Sequence, residues 1–420
     1  MARTLTPLDG YALINAIAKE ATGQQSTLQA IDSSSFVSVG ESILRTGMEN
    51  TLNALSLVVG RTLLAVRPYE AKLKIFNALN SGLYANRMRK ISYYSKDAQA
   101  SGAFNTNLYT NHAMGYDNGS NSGSSVASMW EQNQPVPLEL NFGGSTVWDD
   151  SLTNYEWQIQ QAFRDENIFN RFMSGVLIEK GNDLETQKEA FNRMTMLNYI
   201  GALYDMTLGG VSVMAVDLVA KFNTTFSTTH TRADLLTTYY KEFLEFVIAE
   251  LKKASNMLTY RSKAHHWSPA KTINGVSYSL LRHTPKSKQR LIMYRPFWID
   301  AEARVLPEIF NDEYLKAPQY EAVDFWQNSE VPASVNVTPA VPNAADPTAQ
   351  IQGTPVALEY VLGILYDEDA VMIDYQFDSA YTTPIEARKG YRNTFWHMRK
   401  NAISDLTENG ILFYLGAGGQ

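Results

Sequence analysis

The chain of 420 residues is 45% hydrophobic, 11% aromatic and 19% charged, with a formal net charge of −7 and no cysteine. That length exceeds one ordinary core and gives two linked modules or one elongated molecule, and the composition is that of a folded chain. The missing cysteine excludes disulfide frameworks, thiolate zinc sites and cysteine nucleophiles; the net charge speaks against holding nucleic acid by neutralising phosphates; and no uncharged apolar run approaches the roughly 20 residues of a membrane-spanning helix.

The first ten residues carry Arg3 and Asp9 among few apolar side chains, which is neither a signal peptide nor an anchor and places the newly made chain in a cytoplasm. Thr6, Pro7 and Asp9 supply an N-cap, a first-turn proline and an acid, predicting a helix to about Ala21 that Gly23 ends. A second helix is expected from Phe36 to Met48, and Leu52–Val66 is apolar and β-branched enough to enter a sheet or pack under one. Arg87–Tyr94 reads as a strand, with Val136–Trp148 as its return partner because Leu138, Leu140 and Phe142 alternate. Between them lies a long tract rich in Ser, Asn and Gly, with Phe104, Tyr109, Tyr116 and Trp130 interspersed and few charges. That mixture suits an arm ordered by a neighbouring chain better than a solvated linker.

A helical block around Trp157, Phe163, Phe169 and Phe172 comes next. Asn182 with Glu185 resembles a capping box, and Phe191, Met194, Leu197, Ile200 and Tyr204 then recur at helical spacing, predicting one long helix over Leu184–Met206 stopped by Gly209 and Gly210. Val211–Val219 follows as a strand. Thr231 and Asp234 form a second capping-box signal ahead of a helix striped by Leu236, Tyr240, Phe243, Val247, Leu251 and Ala254. Arg290–Tyr294 reads as a strand, a helix follows Pro296 to about Phe310, and Glu321–Trp326 is a short strand. Val331–Val356, with five prolines and almost no charge, is expected to be an irregular insertion outside any core. Ala357–Tyr366 and Ala370–Gln376 are apolar strands joined by Asp367, Glu368 and Asp369, acids that need only solvent, and Thr394–Met398 and Ile411–Leu415 complete the strand signals.

This order of elements resembles the Hong Kong ninety-seven-type major capsid fold of tailed bacteriophages, most closely the small podophage head proteins. The parts that carry the resemblance are Leu362–Ile373, the approach Thr383–His397 to a last strand, and Gln289–Trp298, a strand turning into a helix. The resemblance implies an α+β fold. Its parts would be an N-terminal arm leading into a peripheral domain (1–83), an extended two-stranded loop (84–150), a peripheral domain with a spine helix (151–222), an axial domain with a Pro-rich insertion (223–356) and a return to the peripheral domain (357–420). It further implies a non-enzymatic homo-oligomer of hexamers and pentamers forming an icosahedral shell around double-stranded DNA, with a separate scaffolding protein and a portal, and residence in the virion. Trp130, Phe142 and Trp148, on or beside the loop strands, are the candidate contacts between subunits. The Lys–Asn crosslink of some members is not carried over, since Lys90 and Lys96 lie on the loop's outgoing limb away from its Gly-rich tip and no spacing marks Asn393 or Asn401.

No motif marks a catalytic centre, a metal site or a cofactor site. His265 and His266 are adjacent and diverge, and His397 between Trp396 and Met398 reads as a buried, satisfied residue. Asp367, Glu368, Asp369 and Asp374 lack the spacing of a calcium loop. Gly40–Ser42 lacks the second glycine of a nucleophile elbow, and Gly115, Gly119 and Gly123 lack the lysine of a phosphate loop. Two alternatives stand beside the capsid: a bacterial nanocompartment shell of the same architecture, and a carbohydrate-binding or glycoside-hydrolysing protein suggested by aromatics and scattered acids.

Overall fold

A computed structural model describes residues 7–21, 29–47, 50–51, 54–55, 73, 77–79, 87–95, 135–143, 146–163, 166–210, 213–269, 271–273, 276–304, 320–343, 346 and 349–418. The tract between the two loop strands, with Trp130, lies outside them. So do the stretch beyond Arg304 expected to be helical and most of Leu52–Val66, of which Ala54 and Leu55 are helical and buried.

Helices α1 (Pro7–Ala21) and α2 (Ser33–Arg45) pack together near the start. Asp32 caps α2 by accepting from the Ser35 amide, while Asn15 of α1 holds the Ala30 backbone through both ends of its amide, at 2.7 and 3.1 Å. Strands β1 (Asn77–Leu79), β2 (Arg87–Tyr93), β3 (Pro137–Gly143) and β4 (Thr146–Tyr155) precede helix α3 (Glu156–Ala162) and the long helix α4 (Glu166–Leu208). At 43 residues, α4 is about 65 Å long. The expected start at Asn182 is thus corrected, since Asn182 sits inside the helix. Tertiary contact outweighs the local cap signal: Phe169 is buried with α1 and α2 upstream, and Lys180 is paired to Asp150 of β4 at 3.0 Å. The glycine before Asn182 costs the helix only about 1 kcal/mol.

After β5 (Ala215–Asp217) come α5 (Leu218–Phe226), α6 (Arg232–Thr237) and α7 (Tyr240–Leu258). The strand expected to reach Val219 stops at Asp217, whose carboxylate caps α5 at the Val219 and Ala220 amides and also accepts from Gly416. Thr231 and Asp234 make the anticipated reciprocal box, but the single striped helix is two. The break falls at Tyr239, whose ring is stacked on His230 with centroids 4.1 Å apart. The short hairpin β6 (Lys271–Ile273) and β7 (Val276–Tyr278) leads to β8 (Gln289–Tyr294), α8 (Arg295–Arg304) and β9 (Tyr320–Val323). The remainder is β10 (Val335–Val337), β11 (Ala340–Pro342), β12 (Gln350–Gln352), β13 (Val356–Leu358), β14 (Val361–Asp367), β15 (Val371–Thr382), β16 (Tyr391–Ser404) and β17 (Gly410–Tyr414).

Two sheets organise this α+β chain. One has the order β5-β17-β14-β8-β9, the other β1-β15-β16-β4. Helix α4 covers one face of the five-stranded sheet at Ile292, Ile364 and Leu412, and α5, α7 and α8 cover the other at Met293, Leu365 and Phe413. A register shift between Val361 and Gly363 reverses which side chains of β14 meet which core, so Leu362 and Ile364, two apart, face opposite sides. Gly363 is needed there, because a Cβ would lie 2.8 Å from the Ile292 carbonyl. The four-stranded sheet turns Trp396 inward against α1 and α2.

The Pro-rich insertion is corrected from an irregular excursion to part of the main core. It forms two small ladders, β10 with β13 and β11 with β12, that bury Val335, Val341 and Val356 against α4. Proline at positions outside the ladder's donor sites leaves such pairing intact. Asp367 is also corrected: it is buried and accepts from Thr284 at 2.7 Å, while Glu368 and Asp369 pair with Lys288.

Candidate assembly surface

Strands β2 and β3 form an isolated two-stranded ribbon, in register from Arg87 with Gly143 to Tyr93 with Pro137. Alternation gives it two faces. Inward go Met88, Lys90 and Ser92 with Leu138, Leu140 and Phe142; Leu138 and Leu140 are buried against Leu280. Outward go Arg89, Ile91 and Tyr93, with Ile91 50% and Tyr93 61% exposed.

The inner face is latched to the body by charge. Lys90 pairs with Asp405 and Glu408 in the turn before β17, Glu408 also meets Arg282 at 3.3 Å, and Arg282 donates to Ser92 at 2.6 Å and to the Thr407 carbonyl. Burial opposes the Lys90 charge, but the two carboxylates outweigh it and raise its pKa above the ordinary 10.5. Burial raises the Glu408 carboxyl above 4.5 despite Lys90 and Arg282. Four charges thus fix the ribbon's departure from the body. Beneath them His266 is fully buried, bonded to the Leu280 carbonyl and the Asn409 side chain, and burial lowers its pKa.

A second surface is the outer face of the four-stranded sheet. Register places Val147, Ser151 and Tyr155 of β4 beside Arg399, Phe395 and Tyr391 of β16, and Tyr381 of β15 beside Phe395. Tyr381 is 62% exposed and faces His397 at 5.5 Å, so His397 is half-buried on an outer face and not in the core as expected. Strand β4 is the sheet's edge, without a strand on its far side among the described residues. Edges of this kind accept further pairing.

Of the candidate contacts, Phe142 lies on the ribbon's inner face against its own body. Trp148, 41% exposed, leans edge-to-face on Phe191 of α4 at 6.4 Å. Ile91, Tyr93, Val147 and Tyr381 were missed. The first two are the odd positions of a strand whose even positions carry Lys90 and Ser92, so the buried face is the more polar one and alternation alone points the wrong way. Among the described residues no group of three or more His, Asp or Glu is placed to hold a metal ion, and no helix is long and apolar enough to cross a membrane.

No protein-family model and no curated protein sequence matches the chain. Among solved structures it is similar to the capsid structure of Staphylococcus phage Andhra, at 10% identity over 81% of this chain and 83% of that one, with a TM-score of 0.48. It is also similar to the capsid structure of cyanophage P-SCSP1u, at 7% identity over 83% and 89% and a TM-score of 0.41. The mature capsid of bacteriophage PhiM1 gives 7% identity over 83% and 87%, with a TM-score of 0.40.

Proposed function

We propose that the chain is the structural subunit of an icosahedral shell enclosing the double-stranded DNA of a tailed bacteriophage. The observation that carries this is the latched ribbon. A two-stranded extension held at its base by four charges, with Ile91 and Tyr93 turned away from its own body, has a partner-directed geometry. Ile91 and Tyr93, half or more exposed, each stand to gain about 1 kcal/mol when a neighbour covers the remaining apolar area.

In this reading the ribbon lies over an adjacent subunit within hexamers and pentamers, and the outer face of the four-stranded sheet receives part of a neighbour. Trp130 and the exposed part of Trp148 contribute to the contacts, and Phe142 supports the ribbon from beneath. The work is done by interfaces, without catalysis. A separate scaffolding protein and a portal complete assembly in the host cytoplasm, and the finished subunit resides in the virion. No feature of the described residues favours the nanocompartment or the carbohydrate reading over this one. Electron microscopy of the purified protein, alone and co-expressed with a scaffold, should show closed shells or rings. A protein that stays monomeric under every assembly condition overturns the reading.

A further inference from the structure

The net charge of −7 conceals a segregation along the chain. From Leu251 to Ile299 there are ten Lys and Arg and not one Asp or Glu, so all 43 acids stand against 26 cations in the rest. Several of the ten are matched from outside the segment: Lys253 by Glu250, Arg282 by Glu408, Lys288 and Arg290 by Glu368, and Arg295 by Asp324. Arg261, Lys263, Lys271 and Lys286 have no carboxylate within ion-pair distance among the described residues.

Three of these four come together. Ser262 and Arg282 pair as an antiparallel bridge, which sets Arg261 opposite His283 and Lys263 opposite Leu281. Arg261, Arg282, His283 and Lys288 line one open cleft, and Lys286 begins the short 3-10 turn at its border. The acids in that cleft are already engaged: Asp367 by Thr284, Asp369 by Lys288, and Glu408 by Lys90 and Arg282. Arg261, Lys263, His283 and Lys286 face solvent, all exposed, beside the half-exposed pair of Lys288 and Asp369.

We propose that this cleft is a landing site for the phosphodiester backbone of duplex DNA, reading no sequence and engaging about three phosphates. Protein interfaces are depleted of lysine and charge at their centres, whereas here only Leu281 and Pro285 among the lining residues are apolar. Crowded cations with no acid of their own are matched by a polymer that carries one charge per about 1.7 Å. The site deepens the shell reading and rests on it for the source of the DNA.

The test measures binding of the full chain to a labelled random-sequence duplex by anisotropy at graded salt. Three phosphate contacts give a slope of log affinity on log salt near −2.7, or roughly a 40-fold loss between 50 and 200 mM. Combining Arg261→Gln, Lys263→Gln and Lys286→Gln should flatten that slope by two to three, while Arg388→Gln with Lys389→Gln, exposed elsewhere, leaves it unchanged. Binding without salt dependence, or equal slopes for both variants, overturns the proposal. So does a triple variant that keeps its DNA slope and loses shells in the microscope, since the cleft then serves a second copy of the chain. Wild-type protein that forms no shells but binds duplex through these residues overturns the shell reading and supports the phosphate site.

Discussion

Lys90 shows how one side chain can decide where an extension leaves a body. Its side chain is 23% exposed and its ammonium group meets two carboxylates, one on the Asp405 side chain, which is 1% exposed. Lys90→Met strands these acids with fewer donors. It should cost about 2–4 kcal/mol in urea unfolding, slightly below the range for breaking a fully buried pair, and loosen the ribbon without touching the sheets. The pH dependence follows from the shifts. Lys90 is raised, so its contribution is complete below about 10.5 and lost as pH climbs through the folded value. Glu408 is raised by burial, so its contribution is present below about 4.5 and lost as pH rises through its folded value; Glu408→Gln near neutral pH should therefore be milder than Lys90→Met. Glu250 behaves in the opposite sense. Burial pushes it up, but Lys221 and Lys253, at 2.5 and 2.6 Å, outweigh that and lower it. Its contribution holds above about 4.5 and disappears as pH falls through the folded value, so Glu250→Gln should flatten the acid limb of thermal melts followed from pH 6 to 3.

Among elements, α4 touches both the Pro-rich ladders and the five-stranded sheet, so its packing tests the architecture. At Gly201 a Cβ would fall 2.6 Å from Val337 Cγ1 and 3.3 Å from Pro339. Asn198, three residues earlier on the helix, accepts from the Ala340 amide at 2.8 Å, fixing the ladder in place. Gly201→Ala gains about 1 kcal/mol of helix propensity but overpacks a fixed contact at about 1–3 kcal/mol. The net expectation is a loss of up to about 2 kcal/mol, read as a lower denaturation midpoint with an unchanged m-value. An unchanged or higher midpoint would mean that the ladders yield freely and are not core.

For the whole molecule, the prediction separates folding from association. Ile91, Tyr93 and Tyr381 are half or more exposed, so their replacement by serine should move unfolding stability by no more than about 0.5 kcal/mol each. The combined variant should nevertheless fail to form shells, with sedimentation velocity reporting monomers at concentrations where the parent assembles. Normal shells from that variant would remove the ribbon's outward face and the outer sheet face from the interface.

Local signals determined much by themselves. The reciprocal cap of Thr231 with Asp234, the alternation of Leu138, Leu140 and Phe142, and the strands on either side of Asp367–Asp369 act over a few residues, and the folded chain keeps them. Composition likewise removed every cysteine-dependent chemistry. Tertiary structure alone decided the rest. It carried α4 through Gly181 and Asn182 because packing outweighed a cap worth about 1 kcal/mol. It drew the Pro-rich segment into the core, and it turned Ile91 and Tyr93 outward by giving Lys90 buried partners more than 300 residues away. The same long-range pairing leaves Arg261, Lys263 and Lys286 without acids in a chain whose total charge is negative. A sum over the sequence cannot report this, because Coulomb attraction acts between neighbours in space.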